Sequence, residues 1–186
     1  MDFDGLGLPK DRGATDRQDS ARLAGIMTVF EWPQVVPCIR YFDGSKYVRH
    51  PLEPGYDFSR DQAICLMAGL AKQGFSYNID EKFVDGKDVF SPSHKGHTAR
   101  CKGDSATKIQ DAWLWADVYW SCFVKPMGEP NQLLCMMMMA DNKYLKFWCK
   151  HNKKWKESIR EYWSGWRGEP ELAEHIISKI EKIIKK

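Results

Sequence analysis

The sequence has little net charge and no long apolar run. Its 28 basic and 25 acidic residues leave a formal net charge of +3, which is too small to indicate a nucleic-acid partner unless the charges are segregated. The most apolar stretches, 112–124 and 133–140, fall short of the roughly 20 residues that a membrane-spanning helix needs. The first residues, Met1 to Asp4, are acidic where a secretory signal peptide needs a basic end and an apolar core. We therefore expect a cytoplasmic protein with no membrane association.

The motifs of several enzyme and metal-binding classes are also absent. The chain contains no C-x-x-C, no H-E-x-x-H, no G-x-S-x-G nucleophile elbow and no glycine-rich phosphate loop of either common type. Nucleotide-dependent chemistry is therefore disfavoured, and we expect no cofactor. Several of the six cysteines lie in apolar helical runs beside Met and Leu. This pattern is typical of free, mostly buried thiols in a reducing compartment.

The sequence does have helical periodicity over most of its length. Its 186 residues, of which 43% are hydrophobic, suit one domain with a sizeable core. We predict a mainly α fold, a compact single-domain bundle of five or six helices over residues 16–186, preceded by an irregular, Gly- and Asp-rich arm at 1–15. The predicted helices are 17–30, 60–73, 104–124, a stretch from about 131 to 163 that Asp141 either breaks or punctuates, and an amphipathic helix from Pro170 that docks on the core.

Two stretches depart from helical periodicity. Between Gln34 and Arg49, β-prone residues flank the dipeptide Asp43-Gly44, which predicts one small β-hairpin. Between residues 84 and 103, turn residues punctuate the chain and no period is sustained. Because about twenty irregular residues exceed the usual connection inside a compact domain, we interpret 84–103 as a functional loop.

Ionisable side chains concentrate where an extended stretch passes into a helix, at residues 47–70. The S-x-x-Q spacing of a capping box predicts that this helix begins at Arg60, with Asp61 in its first turn, where the helix dipole favours a carboxylate. Arg49 and His50 precede the turn and can converge on the same helix N-terminus. The alternative is structural, with Asp61 as a partner of the dipole and Arg60 in a salt bridge.

Three predicted helix beginnings share a pattern in which Asp comes early and small residues follow about two turns later. They are RQDSARLAG at 17–25, SRDQAICLMAG at 59–69 and IQDAWLWAD at 109–117. With this pattern the chain resembles, over 17–166, the helical-hairpin units of α/α-toroid glycosidases and polysaccharide lyases, although a complete toroid needs a longer chain. The resemblance implies a saccharide ligand in a groove lined by tryptophan.

The first functional hypothesis is a small carbohydrate-active hydrolase or lyase. Breaking a glycosidic bond requires paired acid and base groups at a defined separation. Asp61 and Asp117 are the candidate catalytic carboxylates, and His50 is the candidate proton carrier. The eight tryptophans either fill the core or line such a cleft. Candidate substrate-binding residues are Arg49, Arg60, Trp113, Trp115, His94 and His97.

A metal site is an alternative use of the loop histidines. His94, His97 and Cys101 have the spacing H-x-x-H-x-x-x-C, and His50 offers a fourth ligand of a type that suits zinc. No second Cys/His pair accompanies them, and loop histidines are more often hydrogen-bonded or solvent-facing than ligating. We therefore assign no metal ligand.

The second functional hypothesis is a non-enzymatic helical binding or inhibitor protein. Its helix 143–163 combines a seam of large apolar residues (Tyr144, Trp148, Trp155, Ile159, Tyr162), continued by Trp166, with lysines. The seam faces either the core or a groove. Lysines neutralise phosphates or carboxylates, and exposed aromatic rings stack on bases, so the partner would be an acidic protein or a nucleic acid. The candidate partner-binding lysines are Lys143, Lys146, Lys150, Lys153 and Lys154.

Overall fold

The computed structural model of the protein describes part of the chain. The described residues are 1–10, 17–44, 47–53, 58, 60–75, 118–119, 121–123 and 131–186. Within them the fold is mainly α with one small antiparallel sheet, as the sequence predicts. Residues 84–103 lie outside this part of the chain, so their interpretation as a functional loop stays a prediction.

The secondary-structure elements follow one another from the N-terminal sheet to a C-terminal helix. In chain order they are β1 (Asp2–Phe3), β2 (Pro9–Lys10), α1 (Ser20–Val29), a 3₁₀ helix (Cys38–Tyr41), α2 (Arg60–Lys72), α3 (Asn131–Ala140), α4 (Asn142–His151), α5 (Trp155–Arg160), a π-helical segment (Glu161–Trp166) and α6 (Pro170–Ile184).

The centre of the core is the crossing of α1 and α2. A β-carbon placed on Gly25 would lie 2.0 Å from the carbonyl oxygen of Cys65, and one on Gly69 would lie 2.6 Å from Cys38 Sγ. Only residues without a side chain allow backbones to approach this closely. Nearly all of α1 is buried, as expected for a helix that is apolar around its circumference.

Two helix ends agree with the sequence prediction because local residues determine them. α2 runs from Arg60 to Lys72, and Gly74 follows with φ of +79°, the left-handed conformation that glycine adopts after a helix. α6 has Pro170 in its first turn, where the missing N–H costs nothing. Its buried residues, which close the core, are Leu172, Ala173, Ile176, Ile177 and Ile180.

The predicted helix from 131 to 163 is interrupted at two Asx residues. Asp141 is the N-cap of α4 and accepts a hydrogen bond from the backbone N–H of Lys143 at 2.9 Å. Asn152 follows α4, and its Oδ1 accepts from the N–H of Lys154 at 3.2 Å. Asp and Asn side chains offer the backbone an alternative to helical hydrogen bonds, so each side chain ends one helix and begins the next.

The hairpin predicted at Gln34–Arg49 is much shorter in the structure than the sequence pattern indicates. Residues Cys38–Tyr41 form a 3₁₀ helix, and β-pairing around Asp43-Gly44 is reduced to one bridge between Phe42 and Tyr47. The physical reason lies in which residues are buried. Cys38 and Tyr41, three positions apart, are buried, while Ile39 between them is 37% exposed. Three residues is the period of a 3₁₀ helix, so this helix directs both buried side chains to the core. The antiparallel sheet instead pairs β1 with β2, inside the stretch expected to be an irregular arm.

The described cysteines are free, as the sequence predicts. Cys122 is partly exposed, and the others are buried: Cys38, Cys65, Cys135 and Cys149. Burial raises the pKa of Cys38 to about 11 and that of Cys149 to about 12, so neither thiol is a nucleophile near neutral pH. No helix among the described residues has the length and apolar character needed to cross a membrane.

Candidate functional sites

His50, the predicted proton carrier, is fully buried and uses both ring nitrogens. The backbone N–H of Leu52 donates to Nδ1 at 3.1 Å, and Nε2 lies 2.8 Å from Oδ2 of Asp4. Because Nδ1 accepts a hydrogen bond, the ring is neutral with its proton on Nε2. Burial lowers the pKa of His50 and outweighs the neighbouring Asp4 carboxylate, which raises it. This geometry suits a structural histidine, and a catalytic role for His50 stays a prediction.

Asp4 ties the N-terminal sheet to the body of the protein. Its Oδ1 accepts hydrogen bonds from the N–H groups of Leu6 at 2.8 Å and Leu8 at 3.0 Å, which form the connection between β1 and β2. Burial raises the pKa of Asp4, but these two hydrogen bonds and His50 lower it more, so the net shift is downward. Arg17 lies nearby, with Nε 3.8 Å from Asp4 Oδ2 and Nη1 3.2 Å from Glu53 Oε1.

A second polar network surrounds Asp19 at the start of α1. Its carboxylate is ion-paired with Arg22 and with Arg167, whose Nη1 is 2.5 Å from Oδ2. Gln62 of α2 donates from Nε2 to Asp19 Oδ1 at 2.7 Å, and its Oε1 accepts from the N–H of Arg22 at 2.9 Å. Gln62, expected in a capping box, thus joins the two central helices. The network holds α1, α2 and the segment before α6 together.

The predicted catalytic constellation is only partly described. Arg49 is half-buried, and its carbonyl oxygen accepts from the N–H of Ala21 at 3.1 Å. Arg60 and Asp61 lie in the first turn of α2, as predicted, while their side chains are outside the described part. The other members lie wholly outside it, and their roles stay predictions: Asp117, Trp113, Trp115, His94 and His97.

A metal site is not found where the structure describes the chain. Within the described ranges, no group of three or more His, Cys, Asp and Glu side chains is arranged to hold a metal ion. The loop residues His94, His97 and Cys101 of the zinc alternative are not among them.

The apolar seam of helix 143–163 faces the core. Its members are at most 6% exposed. A ring buried to this degree has no face left for a base or a sugar, so the seam contributes to stability and not to a groove. The buried members are Tyr144, Trp148, Trp155, Ile159 and Tyr162.

A different set of rings lies at the surface. Tyr119 and Phe123 are 56% and 51% exposed, and their ring centroids are 4.7 Å apart. Phe123 lies 5.5 Å from His151, which lies 4.3 Å from Phe147. We call these four residues the aromatic ladder. It joins the helical residues 118–119 and 121–123 to α4, where Phe147 and His151 are one turn apart.

Sequence reasoning missed the aromatic ladder because it followed the stronger seam on the other side of the same helix. One signal was available, since Phe147 and His151 have the i, i+4 spacing that brings side chains together on a helix surface. The contact of Phe123 with His151 joins residues far apart in sequence, and no local pattern could have revealed it.

The predicted partner-binding lysines are all exposed, and we call them the lysine face: Lys143, Lys146, Lys150, Lys153 and Lys154. Among described residues, Lys146, Lys150, Lys153 and Lys154 make no ion pair. Lys146 and Lys150 directly precede the two ladder residues of α4 in sequence.

The remaining cations of this region are neutralised within the molecule. Lys156 of α5 pairs with Glu181 of α6. Arg160 binds Glu174 through two hydrogen bonds of 2.6 and 3.1 Å, the strong bidentate geometry. The basic residues of helix 143–163 therefore divide into a set that docks α6 and a set that carries its charge to solvent.

Comparisons of the chain with protein-family models, with curated proteins and with solved structures find no match. The resemblance to α/α-toroid enzymes stays a prediction. A functional assignment therefore depends on the surfaces that the described residues form.

Proposed function

We propose that the protein binds a segment of single-stranded nucleic acid on the aromatic ladder and the lysine face. The observation that supports this proposal is the exposed ring pair of Tyr119 and Phe123, which contacts His151 of α4, the helix where Lys146 and Lys150 make no ion pair among described residues. These two large aromatic rings are more than half exposed and so leave apolar surface open to a partner.

The two parts of the surface suit the two parts of a nucleotide. Bases stack on aromatic rings without regard to sequence, because every base has a π-face, and lysines neutralise the phosphates. Lys143 and Lys150 are seven residues apart in α4, which is about 10 Å along the helix axis. The lysine face is thus extended, as tracking a strand requires. An acidic protein would pair with the lysines but would make less use of the flat rings.

Salt dependence follows from the number of lysines. If each of the five lysines neutralises one phosphate, the slope of log K against log salt concentration for a single strand is about −3.5. Fluorescence anisotropy of a labelled oligothymidine at several salt concentrations measures this slope. A slope near zero would contradict the proposal.

Matched variants separate stacking from general charge attraction. Loss of one stacking ring costs about 1–3 kcal/mol per base, so Phe123→Leu is expected to weaken oligothymidine binding about 5- to 150-fold. Phe75→Leu is the control, because Phe75 is also exposed, at 40%, but is not part of the aromatic ladder. Equal effects of the two substitutions would remove the ladder from the site.

The charge component has its own control. Lys150→Gln removes an exposed cation of the lysine face, whereas Arg160→Gln removes one already paired with Glu174. We expect Lys150→Gln to weaken binding and to make the salt slope shallower by about 0.7, with Arg160→Gln close to wild type.

Polyglutamate serves as an anion without bases. If polyglutamate binds as tightly as oligothymidine at equal charge, the partner is an acidic protein.

A further inference from the structure

A pocket of about 390 Å³ lies where several helix ends meet. This volume is within the range of roughly 300–1,000 Å³ that is usual for small-molecule sites. One part of its lining is apolar and comes from the end of α1, from α3 and from α6: Val29, Phe30, Met138 and Ile183. An apolar wall of this kind suits a hydrocarbon or aromatic group.

The rest of the lining is strongly basic. Four lysines line the pocket, Lys72 from α2 and Lys179, Lys182 and Lys186 from α6 and the residues after it, against one acid, Glu31. Among the described residues, Lys182 and Lys186 make no ion pair. The ionisable side chains of the lining therefore carry a net formal charge of +3.

The lining residues lie at the carboxyl ends of α1, α2, α3 and α6 and at the amino end of α4. Carboxyl ends carry partial negative charge, so cations are favoured beside them. An anion in this pocket therefore depends on the lysine side chains and not on the helix dipoles.

Glu31 already marks an anion position in this pocket. Its Oε1 lies 3.1 Å from Lys72 Nζ, and its Oε2 lies 2.6 Å from Lys179 Nζ. Hydrogen bonds from Lys179 and Lys72 lower the pKa of Glu31 to about 2. Two lysines from different helices therefore converge on one carboxylate.

The backbone at Glu31 is unusual. Its φ is +54°, and no other described residue except glycine has a positive φ. The N–H of Trp32 donates to the carbonyl of Met27 at 2.8 Å, so Glu31 occupies the left-handed position that ends a helix and that usually holds glycine. A side chain is disfavoured at this position, yet here one delivers a carboxylate to the lysines.

We propose that this pocket binds an organic phosphate. The phosphate lies among Lys179, Lys182 and Lys186, and the apolar group lies against Phe30 and the rest of the apolar wall. Lysine is a point-charge donor that suits phosphate, and Lys182 and Lys186 make no ion pair among the described residues. In the unliganded protein Glu31 occupies part of the anion position and competes with the ligand. This site does not depend on nucleic-acid binding at the aromatic ladder.

Calorimetric titration with phenyl phosphate, inorganic phosphate and phenol tests the proposal. Because the pocket offers both a charged and an apolar part, phenyl phosphate is expected to bind at least about tenfold more tightly than either fragment. Equal affinities for phenyl phosphate and inorganic phosphate would overturn the proposal, since surface lysines alone would then explain the binding. No binding of phenyl phosphate would overturn it as well.

The natural phosphate could belong to a soluble ester or to a lipid headgroup. Vesicles of phosphatidylcholine with and without phosphatidic acid distinguish these sources. Binding only to the vesicles with phosphatidic acid, displaced by phenyl phosphate, supports a lipid headgroup. Binding of phenyl phosphate without vesicle binding supports a soluble ester. Vesicle binding that phenyl phosphate does not displace would place the lipid elsewhere and count against the pocket.

Three variants locate the site. Lys182→Gln removes a cation of the pocket and is expected to weaken phenyl phosphate binding about tenfold. Lys10→Gln removes the same charge in β2, outside both the pocket and the lysine face, and is expected to leave the affinity unchanged. Glu31→Gly removes the competing carboxylate and restores the residue usual at a left-handed position, so the protein should fold and bind phenyl phosphate about tenfold more tightly. Weaker or unchanged binding by Glu31→Gly would contradict competition by Glu31.

Discussion

Two regions of the molecule contain clusters of polar residues, one buried and the other exposed to solvent. The side chains of His50 and Asp4 are buried and have specific partners at short distances. At the lysine face and the aromatic ladder, the five lysines, Tyr119 and Phe123 are exposed, and Lys146 and Lys150 have no ionic partner in the described ranges. The first region is suited to stabilise the fold, and the second is suited to bind another molecule.

This difference shows how ionisable residues in a sequence should be interpreted. A His next to a helix start suggested catalysis. Its partner is Asp4, in the connection between β1 and β2, and the burial of both side chains suits a structural pair. The lysines of α4 became distinctive because their helix carries Phe147 and His151, which extend the contact of the exposed rings Tyr119 and Phe123. Exposure, more than the clustering of charges, separates a binding surface from a structural network.

The largest expected effect lies in the buried region, at the crossing of α1 and α2. Gly25→Ala would bring a methyl group to 2.0 Å from a backbone oxygen of α2, so the helices must separate. We expect a loss of at least about 3 kcal/mol in the free energy of unfolding, at the severe end for an overpacked core. Urea unfolding followed by circular dichroism measures it. Gly5→Ala is the control, because a β-carbon on Gly5 meets nothing within 4 Å.

The Asp4 network is the next test of the buried region. Asp4→Ala removes the carboxylate that lies 2.8 Å from Nε2 of buried His50 and leaves two backbone N–H groups without their acceptor, and we expect a loss of about 3 kcal/mol. The matched control is Asp2→Ala, because Asp2 is exposed. Equal stability of the two variants by urea unfolding would show that the N-terminal sheet does not contribute through Asp4.

The sequence predicted those parts of the fold that are specified locally. Gly74 ends α2 and Pro170 begins α6 because a single residue fixes the backbone there. The Asp4–His50 contact, the use of Gln62 between helices and the pairing of β1 with β2 were not predicted, because each joins residues whose approach depends on the whole fold. The candidate surface was half predicted, since the lysines were identified and the rings beside them were not.

Stability of the buried region is expected to depend on pH. Folding lowers the pKa of His50 below 6.5 and that of Asp4 below 3.8, so the unfolded chain binds protons more readily than the folded one. The stability that depends on neutral His50 is therefore present above about pH 6.5 and is lost as the pH falls toward the folded pKa. Urea unfolding at pH 7.5 and pH 5.5 measures the loss.

Comparison with His50→Gln isolates this contribution from other titrating groups. The variant is expected to be less stable at both pH values and to show a smaller difference between them. If wild type and His50→Gln lose the same free energy between the two pH values, His50 is not the group responsible.

The smallest effect on stability is expected at the aromatic ladder. Phe123 is half exposed, so Phe123→Leu should change the free energy of unfolding by no more than about 0.5 kcal/mol. Together with the weaker oligothymidine binding expected for the same variant, this result would separate binding from stability. A large loss of stability by urea unfolding would assign Phe123 to the core and weaken the contrast between the two regions.

The most direct measurement is photo-crosslinking of the protein to an oligonucleotide that contains bromodeoxyuridine, followed by mass spectrometry of the crosslinked peptides. A base stacked on the ladder is expected to crosslink to Tyr119, Phe123, Phe147 or His151, and high salt should abolish the signal because the lysines act through charge. Crosslinks confined to other parts of the chain would contradict nucleic-acid binding on this surface.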